Sequence, residues 1–144
     1  MLFEPHGDIR FSTDGRLHLV EVRGPWNAEL IDAYRRSSTA TVHDFAAAGP
    51  WAAIIVTRGS TMFTDDAEAE LRAMLTDPGR TLNRVAACYV IGPEVEGYRL
   101  CDGILRNVYE PTSPFEIFDS LPPARAWCER LIAAARNAGV TGAL

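Results

Sequence analysis

The sequence predicts an α/β fold with a mainly parallel sheet and an antiparallel first strand, in the order β-β-α-β-α-β-α-β-α. Three observations carry this. Asp14-Gly15 sits between two alternating runs, a strong hairpin signal. Trp51 to Thr57 and Val85 to Ile91 are short, continuously apolar and bounded by turn residues, the pattern of strands buried on both faces. Between and after these lie apolar stripes at helical spacing.

In the opening hairpin Ile9, Phe11 and Thr13 share one face, and Leu17, Leu19 and Val22 resume after the turn. His6 and His18 then fall on or near an exposed edge and read as solvated. Gly24-Pro25 ends the second strand. Asn27 caps a first helix carrying Trp26, Leu30, Tyr34, Val42 and Phe45, which stops before Gly49-Pro50; its 37–41 stretch has weak helix propensity. Thr64 caps a second helix, with Asp65, Asp66 and Glu68 where the helix dipole favours negative charge. Its inner face is Ala67, Leu71, Met74 and Leu75, and Asp77-Pro78-Gly79 ends it.

After the second apolar strand and Gly92-Pro93, a third helix is expected from about Glu94 to Val108. Phe115 to Phe118 is a short last strand, and Ser120 or Pro122 opens a final helix with the stripe Ala124, Trp127, Leu131, Ile132 and Ala135. Residues 139–144 read as a frayed tail on a single domain.

The chain has 144 residues, 47% hydrophobic and 23% charged, enough to bury a core without metal or disulfide staples. Its net charge of -5 argues against nucleic acid as a partner. All 14 cationic residues are arginine, which excludes a Schiff-base lysine, a lysine base and a phosphate-binding Walker lysine. Cys88, Cys101 and Cys128 are widely spaced in apolar segments and read as small core residues of a reducing compartment. No secretory signal is expected at the N-terminus, and the longest apolar run is too short to span a bilayer, so the expected location is cytoplasmic.

With these elements in place, the chain resembles SpoIIAA-like proteins, relatives of the STAS (sulfate transporter and anti-sigma-factor antagonist) domains, and more narrowly a bacterial STAS/SEC14-like group. The matching residues are Gly24-Pro25-Trp26-Asn27, Gly49-Pro50-Trp51-Ala52, Arg58-Gly59-Ser60 with Thr64-Asp65-Asp66-Ala67-Glu68, Phe115-Glu116-Ile117-Phe118 and Ala124-Arg125-Ala126-Trp127. The resemblance covers nearly the whole chain and implies a four- to five-stranded sheet with helices mainly on one side. It also implies a regulatory or protein-interaction role. Where the anti-sigma-factor antagonists carry a phosphorylatable serine, this chain reads Phe63-Thr64-Asp65-Asp66-Ala67. Thr64 could accept phosphate but is more simply the helix cap, and a permanent carboxylate pair crudely imitates the phosphorylated state.

Ligands of an open α/β sheet sit beyond the carboxyl ends of its parallel strands. Trp26, Asn27, Arg58, Gly59, Ser60 and Glu94 converge there on this reading. They offer an indole, a guanidinium, a hydroxyl and backbone amides suited to a small anion or planar acid. The competing reading has Trp26 stapling its helix to the core and Arg58 paired with Asp65 or Asp66. Adjacent Asp65 and Asp66 point about 100° apart on a helix and do not converge on one ligand. Arg80 and Arg84 form either a small basic spot or a solvated loop. Tyr98, Leu100, Cys101, Ile104, Leu105, Val108 and Tyr109 make an over-wide apolar stripe. It suits a second subunit, a lipid-like ligand, or simply the 110–114 loop lying over it.

No nucleophile–base pair, metal-ligand spacing or cofactor fingerprint stands out, so no catalytic residue and no cofactor is expected. The expectation is a non-enzymatic interaction module that meets a protein partner or a second copy through Thr64, Asp65, Asp66 and the second helix. The alternative is a carrier or sensor of a small acidic or apolar ligand at the strand ends.

Overall fold

The computed structural model describes the backbone of residues 8–142 and side chains as far as residue 138. Five strands form one sheet in the order β1-β2-β3-β4-β5: β1 (Asp8–Asp14), β2 (Leu17–Arg23), β3 (Trp51–Arg58), β4 (Arg84–Ile91) and β5 (Phe115–Phe118). β1 is antiparallel to β2, and the remaining neighbours are parallel. The β1–β2 hairpin turns on Gly15 at φ +59°, a backbone conformation that disfavours a side chain.

The helices are α1 (Ala28–Ala48), α2 (Asp65–Leu75), α3 (Pro78–Thr81), α4 (Asp102–Tyr109) and α5 (Leu121–Gly142). Right-handed crossovers between successive neighbouring strands put their helices on one face. Accordingly α1, α2 and α4 cover the face bearing Val20, Val22, Ala53, Ile55, Tyr89 and Ile91. α5 covers the other, bearing Leu17, Ala52, Ile54, Ala86, Cys88 and Val90. β3 and β4 are thus buried on both faces, which is why their sequences do not alternate. Each fully buried residue such as Ile54, Ile55 or Leu71 contributes about 2 kcal/mol of burial.

Asn27 caps α1 as expected, its Oδ1 accepting from Leu30 N at 2.9 Å. At the far end of α1, the Arg16 guanidinium donates to the carbonyls of Phe45 (2.6 Å), Gly49 (2.8 Å) and Pro50 (2.8 Å), satisfying groups the helix leaves unpaired. Cys88 and Cys128 are buried side by side, their sulfurs 3.7 Å apart between β4 and α5.

The structure corrects two boundaries. Asp77 does not simply end α2; it caps the extra turn α3, its Oδ1 accepting from Gly79 N at 3.0 Å. The third long helix begins only at Asp102, because Gly97 (φ +82°) and Arg99 (φ +72°) adopt left-handed backbone incompatible with a helix from Glu94. The over-wide stripe was partly this turn: Cys101, Leu105, Val108 and Tyr109 are buried, while Leu100 stands outside the helix. α5 continues to Gly142, through the start of the expected tail; His6 and residues 143–144 lie outside the described residues. No helix among the described residues is long and apolar enough to cross a membrane.

Candidate functional site

Three loops do converge at the carboxyl ends of β2, β3 and β4, held by backbone hydrogen bonds. Trp26 N donates to Met62 O at 2.8 Å and Thr64 N to Trp26 O at 3.2 Å, tying the β2–α1 loop to the β3–α2 loop. Thr61 N donates to Glu96 O at 2.8 Å and Glu96 N to Gly59 O at 2.9 Å, tying the β3–α2 loop to the segment after β4. The Ser60 hydroxyl donates to Glu96 Oε1 at 2.8 Å and accepts from Met62 N at 3.1 Å. Two glycines permit this closeness. A Cβ on Gly24 would fall 2.0 Å from Ser60 O, and one on Gly97 would fall 2.7 Å from Thr61 Oγ1.

Most of the expected ligand set is spent on this architecture. Trp26 is 1% exposed and stacks on Phe63, ring centres 5.2 Å apart, with Tyr34 beyond at 6.5 Å. Asn27 is occupied as a cap, Gly59 (φ +75°) shapes the turn, and buried Ser60 serves the loop junction. Arg58 points to the opposite face of the sheet, half-exposed, and meets Glu21 at 3.7 Å rather than Asp65 or Asp66. Arg58 and Glu94 do line one cleft of about 210 Å³, together with Glu21, Thr57 and Asp119. Three carboxylates around one guanidinium suit a cationic or neutral polar ligand better than an acid.

Thr64 Oγ1 accepts from Ala67 N at 3.2 Å, the expected cap. A hydrogen bond with the Thr64 hydroxyl, followed by backbone N–H groups, holds the exposed Asp66 carboxyl below its ordinary range. Along the outside of α2 runs a shallow groove of about 540 Å³, lined by Asp65, Glu68, Ala69, Arg72, Ala73 and Thr76. Glu68 pairs with Arg72 across its rim at 3.2 Å. Two large apolar side chains stand exposed on the loops before α2 and before α4: Met62 at 46% and Leu100 at 75%. Gly97 joins them, since a Cβ there would lie 3.1 Å from Met62 Sδ and its carbonyl accepts from Leu100 N at 2.8 Å.

Sequence reasoning misplaced a second set. His18 is not on an exposed edge: β1 takes the edge, and His18 is 1% exposed, stacked on Phe11 at 5.7 Å. Burial first, and Arg80 second, lower its pKa to about 4. Arg80 and Arg84 form neither a solvated loop nor a surface spot; both are buried. The parity of His18 with Val20 and Val22 was the available signal for its inward orientation. Among the described residues no cluster of histidine, cysteine and carboxylate groups could hold a metal ion.

Compared with models of known protein families and with curated proteins, the chain matches none.

Proposed function

We propose that the chain is a non-enzymatic interaction module of the STAS-like kind, which docks a partner protein on the N-terminal half of α2 and the two loops beside it. The observation that carries this reading is the pair Met62 and Leu100. They are two of the three exposed large apolar side chains among the described residues, and they project from loops locked together through Glu96 and Gly97. Exposed apolar residues on a preorganised backbone bind with little ordering cost, which is the character of an interface centre.

The rim specifies the partner's chemistry. α2 carries Asp65, Asp66, Glu68 and Glu70 against Arg72 as its one cation, so the complementary surface is apolar at its centre and basic around it. The test is affinity capture from native lysate with wild type, Met62→Asp/Leu100→Asp and Leu82→Asp, the last altering an exposed leucine before β4 at the other end of the sheet. A protein retained by wild type and Leu82→Asp but lost by the double variant, and released by salt, supports the reading. Equal capture by all three, or none by wild type, refutes it.

A further inference from the structure

At the amino ends of the strands, beneath α1, the molecule breaks an ordinary rule of burial. Arg80 on α3 and Arg84 at the start of β4 are 6% and 8% exposed. Arginine is seldom buried so deeply without an ionic partner. Yet neither forms an ion pair among the described residues.

Their hydrogen bonds go to neutral oxygens. Arg80 donates to Ser38 Oγ at 2.7 Å and to the Arg35 carbonyl at 3.3 Å, and Arg84 donates to Thr112 Oγ1 at 2.6 Å. Each guanidinium also lies near a tyrosine ring, Arg80 at 5.9 Å from Tyr34 and Arg84 at 5.8 Å from Tyr109. Asp77 attracts Arg80 only at longer range. A guanidinium does not shed its proton, so two positive charges stand together in the core.

Between them lies a cavity of about 10 Å³, with His18, Tyr34, Trp51 and Tyr109 also in its wall. That is space for about one water-sized sphere. Two side chains of this wall each carry a buried nitrogen with no hydrogen-bond partner, His18 Nε2 and Arg84 Nε. Arg84 reaches the cavity through a backbone irregularity. Trp51 pairs with Arg84 and Ala52 with Ala86, so β4 carries an extra residue, Val85. Without that bulge Arg84 would share the face of Ala86 and Cys88, under α5; bulges re-aim side chains in this way beside functional sites.

We infer that the cavity binds one small monatomic anion, a halide, held by the Arg84 Nε–H and a His18 Nε2–H between the charges of Arg80 and Arg84. A water molecule would satisfy the two orphaned nitrogens but leave both charges uncompensated. Phosphate and carboxylates are too large for the space. This site stands apart from the partner surface and does not depend on it.

Crystals of the wild-type chain grown with bromide as the only halide, measured at the bromine absorption edge, test it. The expected result is an anomalous peak in the cavity within hydrogen-bonding distance of Arg84 Nε. A cavity that is empty or holds only water, with bromide confined to the surface, overturns the inference. In solution, exchanging gluconate for bromide at constant ionic strength should raise the wild-type Tm saturably, and folded Arg84→Met should lose most of that rise. A wild-type Tm indifferent to the anion, or a full rise in Arg84→Met, also overturns it. Should Arg84→Met not fold, the wild-type map and titration decide.

Discussion

Between pH 7 and pH 5, acid should weaken this protein chiefly through His18. The ring is packed against Phe11 from β1, Phe45 from α1 and Trp51 from β3, at 5.7, 5.7 and 6.3 Å. The charged groups facing it are Arg80 from α3 and Arg84 from β4, in the wall of the same cavity. Its pKa falls from 6.5 to about 4, chiefly through burial and then through Arg80. The unfolded chain therefore takes up a proton near pH 6.5 that the folded chain refuses until about pH 4. Stability falls as pH drops through that window and levels off below it. At 1.36 kcal/mol per unit the full window is worth about 3 kcal/mol, and the step from pH 7 to pH 5 about 2 kcal/mol. Urea unfolding at pH 7 and pH 5 in halide-free buffer, for wild type and His18→Leu, reads this directly. Wild type should lose about 2 kcal/mol more than the variant over that step. Equal losses, or an imidazole that titrates near its ordinary value by NMR, would refute the burial argument. A halide beside Arg80 should shrink the wild-type loss.

Three further outcomes are expected. Asn27→Ala removes the α1 cap and should cost about 1 kcal/mol in chemical unfolding; an unchanged midpoint would show that the cap is dispensable. Gly24→Ala places a methyl 2.0 Å from Ser60 O, a backbone atom that cannot swing away, so it should destabilise by about 3 kcal/mol or abolish folding. A soluble variant with wild-type Tm would contradict the loop junction. Arg58→Ala removes only a half-exposed contact with Glu21 and should stay within about 1 kcal/mol of wild type in the same assay; a larger loss would make Arg58 structural.

The architecture was legible because its signals are local and agree with one another. Asp14-Gly15, the apolar runs around Ile55 and Tyr89, and the caps Asn27 and Thr64 each specify one element, and together they leave one order. The meeting of the Trp26, Ser60 and Glu94 loops followed from parallel strands alone. What those side chains do at the meeting point did not. Trp26 and Ser60 are absorbed by Phe63 and Glu96, partners distant in sequence or visible only once the loops have closed. The buried cations were the hardest to foresee. Arg80 lies on a single turn too short to show periodicity, and Arg84 is turned inward by a bulge that leaves no mark in the residue pattern. Met62 and Leu100 were equally hidden, since exposure on a loop depends on how Gly97 folds that loop back.

The partner surface is tested most directly by hydrogen–deuterium exchange on the wild-type chain, alone and bound to the protein it captures. The account predicts slowed exchange confined to residues 61–72 and 95–101, the stretch around Met62, the first turns of α2 and the turn bearing Leu100. Protection centred on α5 or on the β1 edge, with those residues unchanged, would contradict it.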